Sequence, residues 1–209
     1  MCIRDSYEEI VDGELRQFWG LTYAGLAERV VELASIREGE SVLDVATGTL
    51  VIPRKLAERV NGQGLIVGLD ITPAMLRYGQ RSITAGEAAS CIVSVCASAM
   101  AMPFAKGAFD VVICALGTHH MNVPQMLSEA RHALKIRGRL IIAEAVVLPI
   151  WKLAPIQVML RAAAFLYFLL SHHAARAWAE AAAVSNIRTA QEWHSILAEF
   201  GFADMEAIR

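Results

Sequence analysis

Little in this chain points away from an ordinary folded core. Only 19% of its 209 residues are charged, and its 19 basic and 21 acidic residues leave a net charge of −2. With no basic run, the chain has no electrostatic footprint for a nucleic-acid groove. Four cysteines (Cys2, Cys91, Cys96, Cys114) form no C-x-x-C pair, and three of them lie in strand-like apolar runs. That pattern predicts buried, reduced thiols rather than a disulfide frame or a zinc knuckle. The opening Met1-Cys2-Ile3-Arg4-Asp5-Ser6 lacks the apolar segment of a secretory signal, so the expected location is the cytoplasm. No internal repeat, low-complexity tract or interdomain linker breaks the chain. One domain over residues 7–209 is therefore expected, and 56% hydrophobic residues give it ample material for a core.

The most informative stretch is Ser41-Val42-Leu43-Asp44-Val45-Ala46-Thr47-Gly48-Thr49-Leu50. An apolar run carrying one acid ends in a turn of small residues, and a helical pattern follows at once. Such a βα turn exposes backbone amides at a helix start, where a ligand can approach. A second apolar run, Val67-Gly68-Leu69-Asp70, also ends in a carboxylate. Ligands of open α/β sheets lie across the carboxyl ends of neighbouring strands, and an acid there can hold both hydroxyls of a ribose.

Other elements follow from pattern. Residues 7–36 read as helical, with Leu15, Phe18, Trp19, Thr22, Leu26, Val30 and Leu33 on one face. Val51–Val60 reads as a helix with Pro53 in its first turn, and Asn61-Gly62-Gln63-Gly64 as a turn. Thr72 reads as an N-cap with Pro73 at the first helical position. Cys91–Val95 and Val111–Leu116 read as strands, the latter apolar enough for a sheet covered on both faces. Val123–Ile136 reads as a helix, Arg137-Gly138-Arg139 as a turn, and Leu140–Val147 as a fifth strand. Thr189 with Glu192 forms a capping-box signature for a helix that stops at Gly201.

Together these stretches resemble class I S-adenosylmethionine (SAM) dependent methyltransferases, most closely the menaquinone/ubiquinone-biosynthesis methylase group. The family's first motif has three glycine places, filled here by Ala46, Gly48 and Leu50. Leu50 puts a branched side chain where the helix begins close to the ligand. Gly68-Leu69-Asp70-Ile71-Thr72-Pro73-Ala74-Met75-Leu76 is similar to the segment after that motif. Ala97-Ser98-Ala99, Met102-Pro103-Phe104 and Phe109-Asp110 keep the register of later family motifs, with Ser98 in place of an Asp.

The resemblance implies a Rossmann-like, doubly wound, mostly parallel α/β sheet. N-terminal helices precede it, a helical cap is inserted at 148–185, and the family's seventh strand is absent, so that either the sequence is truncated or the sheet has six strands. It implies SAM as cofactor, held by Asp44, Ala46, Thr47, Gly48, Asp70, Ile71, Ser98, Ala99 and Leu116. Asp70 would hold the ribose, Ile71 would pack on adenine, and Asp44 would act through the turn and toward the methionine amino group. Tyr7, Trp19 and Tyr23 either line the site or pack against the sheet. His119 and His120, in the loop after the fourth strand, either orient the acceptor and take a proton or tie down the loop.

The apolar insertion leaves several readings open. Its uninterrupted run Ala162–Leu170 is nine residues, short of the roughly 20 a span needs. It can wall a pocket for a lipophilic small-molecule acceptor, or form a homodimer contact through 150–178. It can also lie on a membrane surface, since Trp151, Lys152, Arg161, Tyr167, Arg176 and Trp178 are interfacial types. His172 and His173 could join His119 and His120 around a metal, but no H-x-x-x-H or carboxylate spacing supports one, and none is expected. The implied activity is methyl transfer by in-line displacement, with no catalytic base assigned. A nicotinamide dehydrogenase fits less well, because Leu50 replaces its phosphate-binding glycine and no Tyr-x-x-x-Lys is present. A non-catalytic SAM-binding or membrane- or partner-associated scaffold is the other alternative.

Overall fold

Strand β1 (Ser41–Val45) lies at the centre of a five-stranded, fully parallel sheet of order β3-β2-β1-β4-β5 in the computed structural model. The structure describes residues 7–60, 64–83, 90–171 and 174–208. Strands β2 (Leu65–Asp70) and β4 (Phe109–Ala115) flank β1, and β3 (Ile92–Cys96) and β5 (Leu134–Ala143) form the edges. The register sets Asp44 beside Gly68 and Val45 beside Leu69, so the two acid-bearing strand ends are adjacent. β1 and β4 are almost wholly buried, as continuous apolar runs in a parallel sheet require. The fold class inferred from sequence is thus the observed one. The expected sixth strand is not formed, since residues 202–208 carry no strand pairing.

Helices α1 (Tyr7–Trp19) and α2 (Tyr23–Ala34) replace the continuous helical stretch expected over 7–36. The break has a local cause. Gly20 takes a positive φ of 67°, and Thr22, expected on the apolar face, instead caps α2 by accepting the Gly25 amide at 2.9 Å. Asp12 fastens the corner: it accepts the Tyr23 amide at 2.8 Å and Arg16 at 2.6 Å. Ala27, Val30, Val31 and Ala34 of α2 then join one buried cluster with Val42, Ile66, Val111 and Ile113 of the sheet. Residues of α3 (Val51–Arg59), including Ile52, Leu56 and Ala57, complete that cluster.

Helix α4 (Pro73–Arg81) starts at Thr72 as expected, although the Thr72 side chain makes no capping bond. Helix α5 (Val123–Ala133) ends three residues earlier than its pattern suggests. Leu134 is drawn into β5, where it pairs with Phe109; the next aligned pair is Val111 with Arg139. Residues 135–138 bulge out of the strand instead of forming a turn before it. Arg137 takes φ 64° there, and Lys135 pins the bulge by reaching Asp110 at 2.7 Å. Gly138 is required at this point, because a Cβ there would stand 3.0 Å from the Lys135 carbonyl oxygen and 3.1 Å from that of Asp110. Arg139 closes the same edge by bonding both oxygens of Glu40 and the carbonyl of Ala34. The guanidinium holds the Glu40 carboxyl below its usual range, with burial opposing.

Compactness divides the chain into two units. The first holds the sheet: the chain through Ala115, with Glu129–Ala143. The second holds Leu116–Ser128 and Glu144–Arg209. It contains α6 (Ala154–Ser171), α7 (Ala174–Ala183) and α8 (Ala190–Glu199), with one-turn 3-10 helices at Thr118–His120, Pro149–Lys152 and Val184–Asn186. The insertion at 148–185 is helical, as expected. Thr189 and Glu192 form both halves of the capping box, with Thr189 Oγ1 accepting the Glu192 amide at 3.1 Å and Glu192 accepting the Thr189 amide at 2.7 Å. Among the described residues no helix is long and apolar enough to cross a membrane.

Candidate functional site

The turn after β1 is built from three left-handed residues alternating with ordinary ones. Ala46, Gly48 and Leu50 have φ of 57°, 57° and 60°. These are the three glycine places of the family motif, and the reason for glycine there is now visible. Each non-glycine residue in this region carries a steric cost of roughly 1–2 kcal/mol. The chain accepts it at Ala46 and Leu50.

Leu50 does not occupy the place its sequence position suggests. Its side chain is fully buried, and it lies where Gly68 and Gly79 leave room. A Cβ added to Gly68 would stand 2.5 Å from Leu50 Cδ2, and one added to Gly79 would stand 2.9 Å from Leu50 Cγ. The branched group thus fills the interior between β2 and α4, and the expectation that it crowds a ligand at the helix start is corrected.

The two carboxylates differ in task. Asp70 is nearly buried and spends both oxygens on backbone. Its Oδ2 accepts the Gly48 amide at 2.9 Å, and its Oδ1 accepts the Thr72 amide at 2.8 Å. One side chain therefore fixes both the turn after β1 and the start of α4. Each oxygen keeps a further lone pair for a ligand hydroxyl. Asp44 is 1% exposed and accepts the Thr47 hydroxyl at 2.6 Å. Burial pushes its carboxyl up to about 7, the Asp70 charge adds to the rise, and the Thr47 hydrogen bond opposes it.

Gly48 is buried and its amide is given to Asp70, yet its Cα borders a small space rather than packed backbone. A Cβ built there would meet only Met75 Cε at 3.8 Å and Tyr7 Cε1 at 4.0 Å. Tyr7 is therefore at the turn. Tyr23 packs against the core cluster, and burial pushes its phenol well above the usual range. Trp19 is half exposed and stacks edge-on with Phe18. Ile71, just past Asp70, is 66% exposed, an apolar surface available to a flat ring. Ser98 turns its hydroxyl to its own loop, where Oγ accepts the Met100 amide at 3.2 Å; Ala99 is buried. Leu116 takes φ 55° immediately after β4. Cys91 and Cys114 are buried as expected, but Cys96 is exposed at the end of edge strand β3; Cys2 lies outside the described residues.

In the second unit, His119 belongs to a network that the sequence reading missed. Its Nδ1 lies 3.0 Å from Glu144 Oε1. Glu144 is 3% exposed in its side chain and also accepts the Thr118 amide at 2.9 Å, the Thr118 hydroxyl at 2.6 Å and the Ala145 amide at 3.1 Å. Burial disfavours both charges, yet the hydrogen bond and mutual attraction prevail: His119 is raised and Glu144 is lowered from its usual value. The His119 carbonyl accepts Asn186 Nδ2 at 2.9 Å, so the loop is held at both backbone and ring. His120 stands with ring centroids 4.2 Å from His119, and burial followed by the His119 charge lowers it. The signal for Glu144 was present: it follows β5 directly, as Asp70 ends β2. A wide, open cavity of about 630 Å³ in the same unit is lined by Pro149, Lys152, Arg188 and Glu192 among others, and by none of the predicted site residues.

The ubiE/COQ5 methyltransferase family model matches residues 24–171, well over half of the chain, a span that includes the turn after β1, Asp70 and the His119–His120 loop. The chain belongs to this family. It is 30% identical to the ubiquinone/menaquinone biosynthesis C-methyltransferase UbiE of Paracoccus denitrificans (strain Pd 1222) over 147 residues, 70% of this chain and 56% of that protein. It is 39% identical to the protein of the same name from Ruegeria sp. (strain TM1040) over 114 residues, 54% of this chain and 45% of that one. The chain spans about half the length of these curated relatives. Among solved structures, a candidate methyltransferase from Bacillus halodurans C-125 superposes with a TM-score of 0.67 at 25% identity, covering 86% of this chain and 70% of that one.

Proposed function

We propose that this chain is a SAM-dependent C-methyltransferase that acts on a lipophilic, quinone-type small-molecule acceptor. The observation that carries the reading is the bond from the Gly48 amide to Asp70, which joins the ends of adjacent strands β1 and β2 at the small-residue turn. Family membership supplies the cofactor class, and the residues present fit it. A Cβ at Gly48 would meet nothing nearer than 3.8 Å, Leu50 is turned inward, and Ile71 offers an exposed apolar face. SAM carries no pyrophosphate, so a turn that lacks the third glycine is no obstacle to it.

In this reading SAM supplies an activated methyl group. Asp70 would accept the ribose hydroxyls, with Ile71 and the Ser98–Ala99 backbone toward the adenine, and Asp44 and the Ala46–Gly48 backbone would hold the methionine end; Leu116 is a further candidate for the same cofactor. The methyl would pass to a carbon of the acceptor by in-line displacement, with the acceptor giving up one proton in exchange. Holding reactants in line out of water supplies most of the acceleration. His119 takes the proton and Glu144 stabilises the imidazolium that results. His120 helps orient the acceptor. The apolar 148–185 insertion gives that acceptor its lipophilic surroundings. The inward Leu50 removes one ground for a non-catalytic scaffold.

The test is calorimetric titration of the folded chain with SAM, S-adenosylhomocysteine and NAD. The first two are expected to bind and NAD is not; Asp70→Ala is expected to weaken both at least a hundredfold. Failure of a demonstrably folded sample to bind either SAM form would overturn the reading.

A further inference from the structure

His119, His120 and Glu180 lie in one unit and converge. One candidate ligand atom from each sits within 4.8 Å of the other two. His120 Nε2 stands 3.9 Å from Glu180 Oε2, too far for a hydrogen bond. Around a four-coordinate ion with ligands at 2.0–2.2 Å, neighbouring ligand atoms are about 3.4 Å apart, so a small inward movement would serve. We propose that these three side chains form a divalent transition-metal site with Zn²⁺-type chemistry. Two imidazoles and one carboxylate suit that class better than Mg²⁺ or Ca²⁺, which prefer all-oxygen shells.

A second observation supports the assignment independently. Metal-binding histidines usually donate their other ring N–H to a carboxylate, which fixes tautomer and orientation. Glu144 does this for His119. Its four hydrogen bonds lock it in place, it is buried, and it contacts Nδ1. That leaves Nε2 as the ligating nitrogen. Glu180 divides its oxygens similarly: Oε1 lies 3.5 Å from Arg176 Nε, and Oε2 faces His120. Arg176 is in turn held over the Phe168 ring at 5.2 Å. Side-chain exposures of 19% for His119, 42% for His120 and 21% for Glu180 leave room for water or another ligand in the remaining positions. Three protein ligands with an open position are the pattern of catalytic rather than structural zinc sites. If His119 is the proton acceptor proposed above, the same lone pair cannot also hold a cation, so occupancy and proton removal exclude each other.

The test needs neither acceptor nor SAM. The full chain, stripped with a chelator, is titrated with ZnCl₂ against a chromophoric competitor, and CoCl₂ binding is followed by visible absorption. Wild type is expected to bind one Zn²⁺ per chain and to give intense cobalt bands. His120→Ala and Glu180→Gln are each expected to weaken Zn²⁺ at least tenfold, and the double variant to lose the cobalt bands. Glu144→Gln is expected to weaken Zn²⁺ by 10- to 100-fold through His119 alone. Circular dichroism confirms folding of each variant. Undiminished stoichiometry and affinity in the folded double variant would assign the metal to the chain's other histidines and overturn the site, as would no binding to folded wild type. Either result leaves SAM binding, and the function proposed above, untouched.

Discussion

The sheet-bearing unit and the helical unit handle apolar side chains in opposite ways. In the sheet unit, Val42, Leu43, Val45, Val111, Val112 and Ile113 are fully buried, and one cluster joins Val42, Val111 and Ile113 to the helices beside them. In the helical unit, Leu148, Val158, Met159, Leu170 and Trp178 are all more than half exposed. Helix α6 is apolar nearly all round, so its own sequence does not select one face to hide. The contrast shows where the sequence was spent on stability and where it leaves apolar surface available to a ligand, a second copy or lipid.

The sharpest way to probe the sheet unit is Leu50→Ala. It is expected to cost about 2–5 kcal/mol, measured by denaturant unfolding, because a buried leucine leaves a cavity between Gly68 and Gly79. Adding Gly68→Ala to that variant is expected to recover part of the loss, since the new methyl enters the vacated space; additive losses would show that the two positions do not share volume. In the helical unit, comparable losses are expected to be missing. Leu170→Ser with Val158→Ser should shift stability by no more than about 0.5 kcal/mol, yet abolish co-sedimentation with lipid vesicles or uptake of a hydrophobic quinone. A large unfolding penalty there would erase the contrast.

A smaller effect concerns Asp44. Its folded value, near 7, lies above the unfolded value of 3.8, so its contribution to stability is fully present below about pH 3.8 and is lost as pH rises through about 7. The ionised form attracts a cationic amino group. SAM affinity is therefore expected to rise up to about tenfold between pH 6 and 8 in wild type and to be flat in Asp44→Asn, read by titration at each pH. The smallest effect is at Ala46, where glycine relieves a left-handed φ. Ala46→Gly is expected to stabilise the chain by about 0.5–1 kcal/mol in the same denaturant assay.

Much of the sheet unit was legible because its signals are local. An acid at the end of an apolar run, a small-residue turn and a Thr-Pro helix start are each written in a few consecutive residues. The errors were non-local. Nothing within residues 130–140 says that Leu134 will be pulled from its helix by Phe109, a partner 25 residues earlier. Leu50 was misplaced for the same reason, since the room it occupies is made by glycines 18 and 29 positions later. Glu144 and Glu180 were overlooked because their meaning depends on His119 and His120, brought near by the path of the chain rather than by spacing.

The fit of Leu50 against Gly68 and Gly79 also bears on how this turn could have changed. A leucine could enter position 50 only while both opposite positions lacked side chains. Once it is seated, a side chain at either of them meets an occupied space, and at 79 it meets the Thr49 carbonyl as well. Loss of Leu50 would remove the nearest obstacle at 68, whereas 79 stays closed by the Thr49 carbonyl whatever stands at 50. A substitution at the far end of β2 is in this sense conditional on a residue of the neighbouring turn, and the history of the motif is readable at positions outside it.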